Sequence, residues 1–230
     1  MAATTEIKAI PVWSSWIRVL HALMVLELSM SFISAWVVKY GGAVDLDFWR
    51  DWHLISGQLL IVTIAARLIA LFLLPGSASW RAFILDDAQH SAFKKMLMFY
   101  LSGGRTELPV WFAHNPFWKV LYPLYIGVLL ATALTGFFYN SPTTFLGSPL
   151  YKVHQVLANL SFWFTILHIV MAIWHDVKGK GSSISAMLNG YRYFHIDRSQ
   201  VPHKPSPFKG NTPPVYISPD SIKRKSEQNR

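Results

Sequence analysis

The 230-residue chain predicts an all-α integral membrane fold, a four-helix bundle with both termini cytoplasmic, and three observations carry that expectation. Hydrophobic residues make up 52% of the chain and charged residues only 14%, against roughly 25% charged in an ordinary soluble domain. Four uninterrupted apolar stretches each approach the ~20 residues that a helix needs to cross a bilayer core. Basic residues are distributed unevenly between the segments on the two sides of those stretches. The chain has no cysteine, which excludes disulfides, thiolate zinc sites, cysteine-ligated iron–sulfur clusters and haem attached through a Cys-x-x-Cys-His motif.

Residues 1–16 form a mixed, polar flank with no short apolar core followed by a small-residue cleavage site, so the first span is expected to be retained. The spans cover about Ile17 to Val38, Leu54 to Leu74, Val120 to Tyr139 and Val156 to Trp174, within a membrane domain of residues 17–176. Pro75-Gly76 ends the second span, Asn115-Pro116 precedes the third and Asn140-Ser141-Pro142 ends it. Each is a turn or helix-boundary signal. Residues 177–201 make a cytoplasmic segment, and 202–230 read as a disordered basic tail, proline-rich and without an apolar period, against an anionic leaflet.

Lys and Arg near span ends stay on the cytoplasmic side. Seventeen of them lie in the N-terminal flank, in residues 75–119 and after His175, against three on the other side, Lys39, Arg50 and Lys152. That asymmetry places both termini and the middle loop in the cytoplasm of a bacterial inner membrane. It also accounts for the net charge of +9 without a nucleic-acid partner.

Ligating side chains inside a membrane are costly unless paired or used, so the four histidines within or at the edge of the spans are site candidates. His154 and His168 are fourteen residues apart, which returns the second to nearly the same helix face about 21 Å further on. Matching depths pairs His21 with His168 near the cytoplasmic side and His53 with His154 near the outer side. Two bis-histidine pairs stacked across a four-helix bundle are what two noncovalent b-type haems require, because six-coordinate haem suits electron transfer. A macrocycle needs small neighbours, and the residues four positions after the histidines are Gly57, Ala158 and Ala172, with Val25 after His21 as the exception. Zinc is disfavoured, since each depth offers two nitrogens and no third or fourth ligand.

His154-Gln155-Val156-Leu157-Ala158-Asn159-Leu160 through His168, together with Arg18-x-x-His21 and His53-x-x-x-Gly57, resembles the bacterial di-haem cytochromes b. His114-Asn115-Pro116, Leu134-Thr135-Gly136-Phe137 and Ile184 through Arg192 extend the likeness to the Ni,Fe-hydrogenase cytochrome b subunits. The first span departs at Leu20-His21-Ala22, where those members usually carry a tryptophan, and at Glu27. The resemblance implies an electron-transfer subunit of an oxidoreductase complex rather than an independent enzyme. It would be a membrane anchor linking a periplasmic redox enzyme, such as a Ni,Fe hydrogenase, through two haems to menaquinone or ubiquinone. It also implies that Asn115 borders a quinone pocket, whereas the residue types alone make Asn115 a helix cap before Pro116.

Other residues complete the expectations. Glu27 is either a proton relay or, preferably, a protonated carboxyl held by Ser29, Ser31 or Thr63. Arg67 either pairs with a haem propionate or snorkels to the interface. A cytoplasmic quinone site would draw on His114, Asn115, Asn189, Tyr191 and Arg192. His175 is expected at a solvated helix end; His90, His195 and His203 carry no signal; the tryptophans and tyrosines at span ends form an interfacial belt. Two rival functions remain open: a stand-alone quinol-oxidising cytochrome b that reduces a soluble acceptor or superoxide, and a haem-free transporter or assembly factor with a histidine relay.

Overall fold

The computed structural model describes residues 5–42, 45–179 and 181–197. The proline-rich tail of residues 202–230 lies outside the described residues. Four long apolar helices dominate: α1 (Ser15–Tyr40), α2 (Leu46–Leu73), α4 (Trp118–Phe137) and α5 (Leu150–Lys178). Each is long and apolar enough to span a membrane. The amphipathic α3 (Asp87–Leu101) and the single-turn α6 (Ile184–Asn189) lie outside the spans. A small sheet of β1 (Thr5–Pro11), β5 (Tyr191–Asp197) and β4 (Gly181–Ser182) is added to the helical frame in the order β1-β5-β4. A two-stranded hairpin, β2 (Thr144–Phe145) with β3 (Ser148–Pro149), joins α4 to α5.

The helices begin and end where local chemistry directs. The Asp45 carboxylate accepts the Phe48 N–H at 3.1 Å and caps α2, which begins eight residues upstream of the expected span and leaves His53 two turns inside the helix. Asp86 caps α3 by accepting from the Gln89 N–H at 2.8 Å. Side-chain caps of this kind satisfy donors that a helix start otherwise leaves free. The hairpin turns through Leu146 (φ 50°) and Gly147 (φ 76°), the two positive-φ positions that a two-residue turn of the I′ kind requires.

Packing runs α1 on α2, α2 on α4 and α4 on α5. Leu60 and Ile64 of α2 bury against Leu129 and Ala133 of α4 to form the central core. Apolar packing cannot alone drive association in lipid, where tails are as apolar as leucine. Interhelical hydroxyl contacts accordingly join both outer pairs of helices, Ser31 to Ser56 at 2.8 Å and Thr132 to Ser161 at 3.1 Å.

The described parts of the N-terminal flank, the middle loop and the C-terminal segment gather at one end of the bundle. β1 pairs antiparallel with β5 from Thr5 opposite Asp197 to Pro11 opposite Tyr191, so the flanks before α1 and after α5 share a side. Ser77 donates to the Val12 carbonyl at 2.6 Å, and Arg192 donates to the Trp111 carbonyl at 2.6 Å, which ties the middle loop to the same end. Gly190 closes this junction with φ 89°, where a Cβ would stand 3.0 Å from the Trp13 carbonyl oxygen. The opposite end carries the hairpin.

Candidate functional site

The four histidines of the spans form two pairs, one at each end. At the sheet end His21 of α1 faces His168 of α5 with ring centres 6.5 Å apart, and at the hairpin end His53 of α2 faces His154 of α5 at 6.2 Å. These are the pairs that depth matching predicts. Although α5 packs on α4, its two histidines project toward α1 and α2, so each pair bridges the space between the two halves of the bundle.

The spacing can be tested against a metal held between two imidazoles. A ring nitrogen lies about 1.1 Å from its ring centre and binds a first-row ion at about 2.0–2.1 Å, so trans imidazoles place their centres roughly 6.3 Å apart. Both pairs match that value. Among the described residues no three His, Cys, Asp or Glu side chains come together as a metal-binding group. Two-nitrogen sites suit an ion whose remaining positions a porphyrin fills and leave a tetrahedral zinc ion incomplete. Gly57, one turn past His53, has no atom within 4 Å of where a Cβ would lie, which fits a flat group beside that ligand.

The hairpin-end pair is oriented by hydrogen bonds. His53 Nδ1 lies 3.0 Å from the Ser31 carbonyl oxygen and His154 Nδ1 lies 2.9 Å from that of Thr132. A carbonyl only accepts, so each Nδ1 carries the proton and each Nε2 keeps its lone pair for a ligand bond. Gly136 makes room for His154, because a Cβ there would stand 2.8 Å from the His154 Cε1. The sequence marks Gly136 only as part of a motif; its steric role needs the helix crossing.

The sheet-end pair sits among rings. Trp118 and Tyr122 pack edge-on to His168 with centres 6.1 and 5.9 Å away. Tyr122 in turn approaches His114 at 6.1 Å, and His114 also contacts Trp13 and Phe83. Burial, with the Lys119 ammonium and the Arg67 guanidinium adding to it, pulls the His114 pKa down to about 3 and keeps the ring neutral.

Three cations are buried at this end: Arg67, Lys119 and Arg192. Arg67 is only 7% exposed, which overturns the snorkelling alternative; its hydrogen bond to the Ala78 carbonyl is long at 3.5 Å. Lys119 donates to the Gln89 side-chain carbonyl at 2.7 Å. Arg192 stacks over Trp111 at 4.4 Å, and burial lowers its pKa to about 10 despite the nearby Asp176. Among the described residues the one ion pair is the exposed Arg50–Asp47 contact, so none of the three buried cations has a carboxylate within ion-pair distance.

His175 corrects the expectation of a solvated end: it is 5% exposed because α3 and Trp111 cover the last turns of α5. Tyr100 organises that region. Its hydroxyl oxygen accepts from Trp118 Nε1 at 2.9 Å and from Asn115 Nδ2 at 3.3 Å, and its own proton therefore goes to His175 Nε2 at 2.9 Å. Burial raises the Tyr100 pKa to about 12, so the hydroxyl stays protonated. Trp111 and Trp118, expected in the interfacial belt, are instead buried members of this network.

The Asn115 side-chain Oδ1 accepts the Phe117 N–H at 3.0 Å, a local turn-capping role. Of the other quinone candidates His114 and Arg192 are buried at this end, whereas Asn189 and Tyr191 are exposed and Asn189 bonds Tyr193 and the Tyr191 N–H. Glu27 lies between the pairs along α1 and accepts from the Thr63 hydroxyl at 2.7 Å, the structural contact expected of it.

The family model described as prokaryotic cytochrome b561 matches residues 12–190, a stretch that holds all four histidines. No curated protein and no solved structure matches the chain. With four membrane-length helices and a family match over most of its length, the chain belongs to the prokaryotic cytochrome b561 family and is a multi-pass inner-membrane b-type cytochrome of electron transport.

Proposed function

We propose that the chain carries two noncovalent haem b groups, one on His21 and His168 and one on His53 and His154, and moves electrons between a periplasmic redox enzyme and the quinone pool. The observation that carries this reading is the two imidazole pairs at metal-bridging separation, one at each end of α5. The haems would supply one-electron redox chemistry, and the protein supplies ligands, spacing and dielectric. About 21 Å of helix rise separates the ligands of α5.

The basic excess assigns the sheet end to the cytoplasm and the hairpin end to the periplasm. The His53 and His154 pair then faces the partner enzyme, for which the sequence favours a Ni,Fe hydrogenase. Arg67 and Lys119, buried without carboxylate partners among the described residues, are suited to hold the propionates of the cytoplasmic-side group. An apolar cleft of about 250 Å³ is lined by Leu68, Leu71, Trp80, Phe83, Pro123 and Ile126. Phe83 of its lining contacts His114, which places a polar group behind an apolar groove, the combination a quinone site needs. Asn115 supports that site through its bond to Tyr100.

The test is hydrogen-dependent reduction of the b-type spectrum in native membranes. Hydrogen should reduce both haems in wild-type membranes, the remaining hairpin-end haem alone in His168→Ala, and none in His53→Ala. Haem that quinol reduces and hydrogen does not would instead favour the stand-alone quinol-oxidising cytochrome.

A further inference from the structure

The same small arrangement occurs twice at the hairpin end. On α1, the Ser31 carbonyl receives the His53 Nδ1 proton, the Ser31 hydroxyl contacts Ser56 on the helix that carries His53, and Ser34 Oγ lies 3.2 Å from the same Nδ1. Ser34 also donates to the Met30 carbonyl at 2.6 Å and approaches the Ser31 carbonyl at 3.1 Å. On α4, the Thr132 carbonyl receives the His154 Nδ1 proton, and the Thr132 hydroxyl contacts Ser161 on the helix that carries His154. Thr135 Oγ1 lies 3.5 Å from that Nδ1 and donates to the Ala131 and Thr132 carbonyls at 2.7 and 3.0 Å.

A serine or threonine inside a helix commonly bonds back to the carbonyl three or four residues earlier. That habit explains each hydroxyl singly. It does not explain why an imidazole from the following helix lands on the same carbonyl in both halves of the bundle, with a hydroxyl at the same three-residue offset.

We propose that Ser31-x-x-Ser34 and Thr132-x-x-Thr135 are matched brackets that position His53 and His154, fixing the proton on Nδ1 and turning Nε2 into the gap between the rings. The proposal rests on the reading of this pair as haem ligands. Donation from Nδ1 makes Nε2 a stronger base, which favours the oxidised state of the iron it binds and lowers the potential of the hairpin-end haem. Gly136 belongs to the device, because any side chain there would push the His154 ring out of its bracket. Neither His21 nor His168 has a hydrogen-bond partner among the described residues, so the effect is confined to one haem.

The experiment is an optical redox titration of the purified full-length protein, with His53→Ala identifying the hairpin-end component by its loss. Ser34→Ala and Thr135→Val should keep two haems and move only that component, by about threefold in its oxidised-to-reduced ratio toward reduction. That is about 28 mV for one electron, since tenfold is 59 mV. Thr135→Ser should restore the wild-type potential, and Gly136→Ala should remove the same component while the other stays. Unchanged potentials in Ser34→Ala and Thr135→Val, or equal shifts of both components, would overturn the proposal. A wild-type protein with fewer than two haems would overturn the two-haem reading beneath it, before any variant is made.

Discussion

At the hairpin end of the bundle, His53 and His154 each direct the Nδ1 proton to a main-chain carbonyl of the preceding helix, and hydroxyls and a glycine shape the space around them. At the sheet end, neither His21 nor His168 has a hydrogen bond among the described residues; Trp118 and Tyr122 pack edge-on to His168, and buried cations lie at the same end. The ring-centre separations differ by only a few tenths of an ångström. The surroundings are what separate the two sites. One pair has its Nε2 basicity set by backbone carbonyls; the end that holds the other carries buried charges that, among the described residues, lack carboxylate partners.

The largest effects should come from the ligands. His53→Ala or His154→Ala should remove the hairpin-end haem, and His21→Ala or His168→Ala the sheet-end haem, each leaving about half the wild-type haem per chain. Equal residual spectra from His21→Ala and His154→Ala would show that the pairs do not act as separate sites.

A second group of variants sharpens the contrast in potential. A buried positive charge favours the less positive, reduced state of a nearby iron. Arg67→Met and Lys119→Met should therefore lower the potential of the sheet-end component and leave the other in place, as read by redox titration. Together with the Nδ1 bonds at the hairpin end, this would make the sheet-end haem the stronger oxidant, a gradient suited to carry electrons toward a quinone on that side.

Stability should respond more modestly. Tyr100→Phe leaves the Trp118 and Asn115 donors and the His175 acceptor without their common partner, at a cost of about 2 kcal/mol. Thermal unfolding in detergent should show it, with haem content unchanged. A further stability effect of similar size is a pH slope. The folded His114 pKa lies below its unfolded value, so between about pH 6.5 and about 3 the unfolded chain binds the extra proton and stability falls as pH falls, by at most about 1.4 kcal/mol per unit. Melting of His114→Leu should be less steep than wild type over pH 6.5 to 4.5.

The histidine pairs were legible because helical rise and membrane depth are both arithmetic on sequence position, and neither depends on tertiary detail. The middle loop, N-terminal flank and C-terminal segment share one end as the charge asymmetry requires. Their actual structure was not legible. β1 and β5 pair residues almost two hundred positions apart, and no local pattern announces such a partner. The burial of His175 and Arg67 is not legible for a related reason. Each looks like an interfacial residue from its place near the end of an apolar stretch, but α3, Trp111 and the turn around Ala78 extend the protein interior over them. The hydroxyl brackets were hidden because serine and threonine spaced by three in a helix carry no signal until the neighbouring helix brings an imidazole to the carbonyl.

The most direct measurement is a reduced-minus-oxidised visible spectrum of the purified protein combined with a pyridine haemochrome count. The account predicts about two b-type haems per chain, falling to about one when either histidine of a single pair is replaced. One haem in the wild type, or no haem after expression with adequate haem supply, would contradict it.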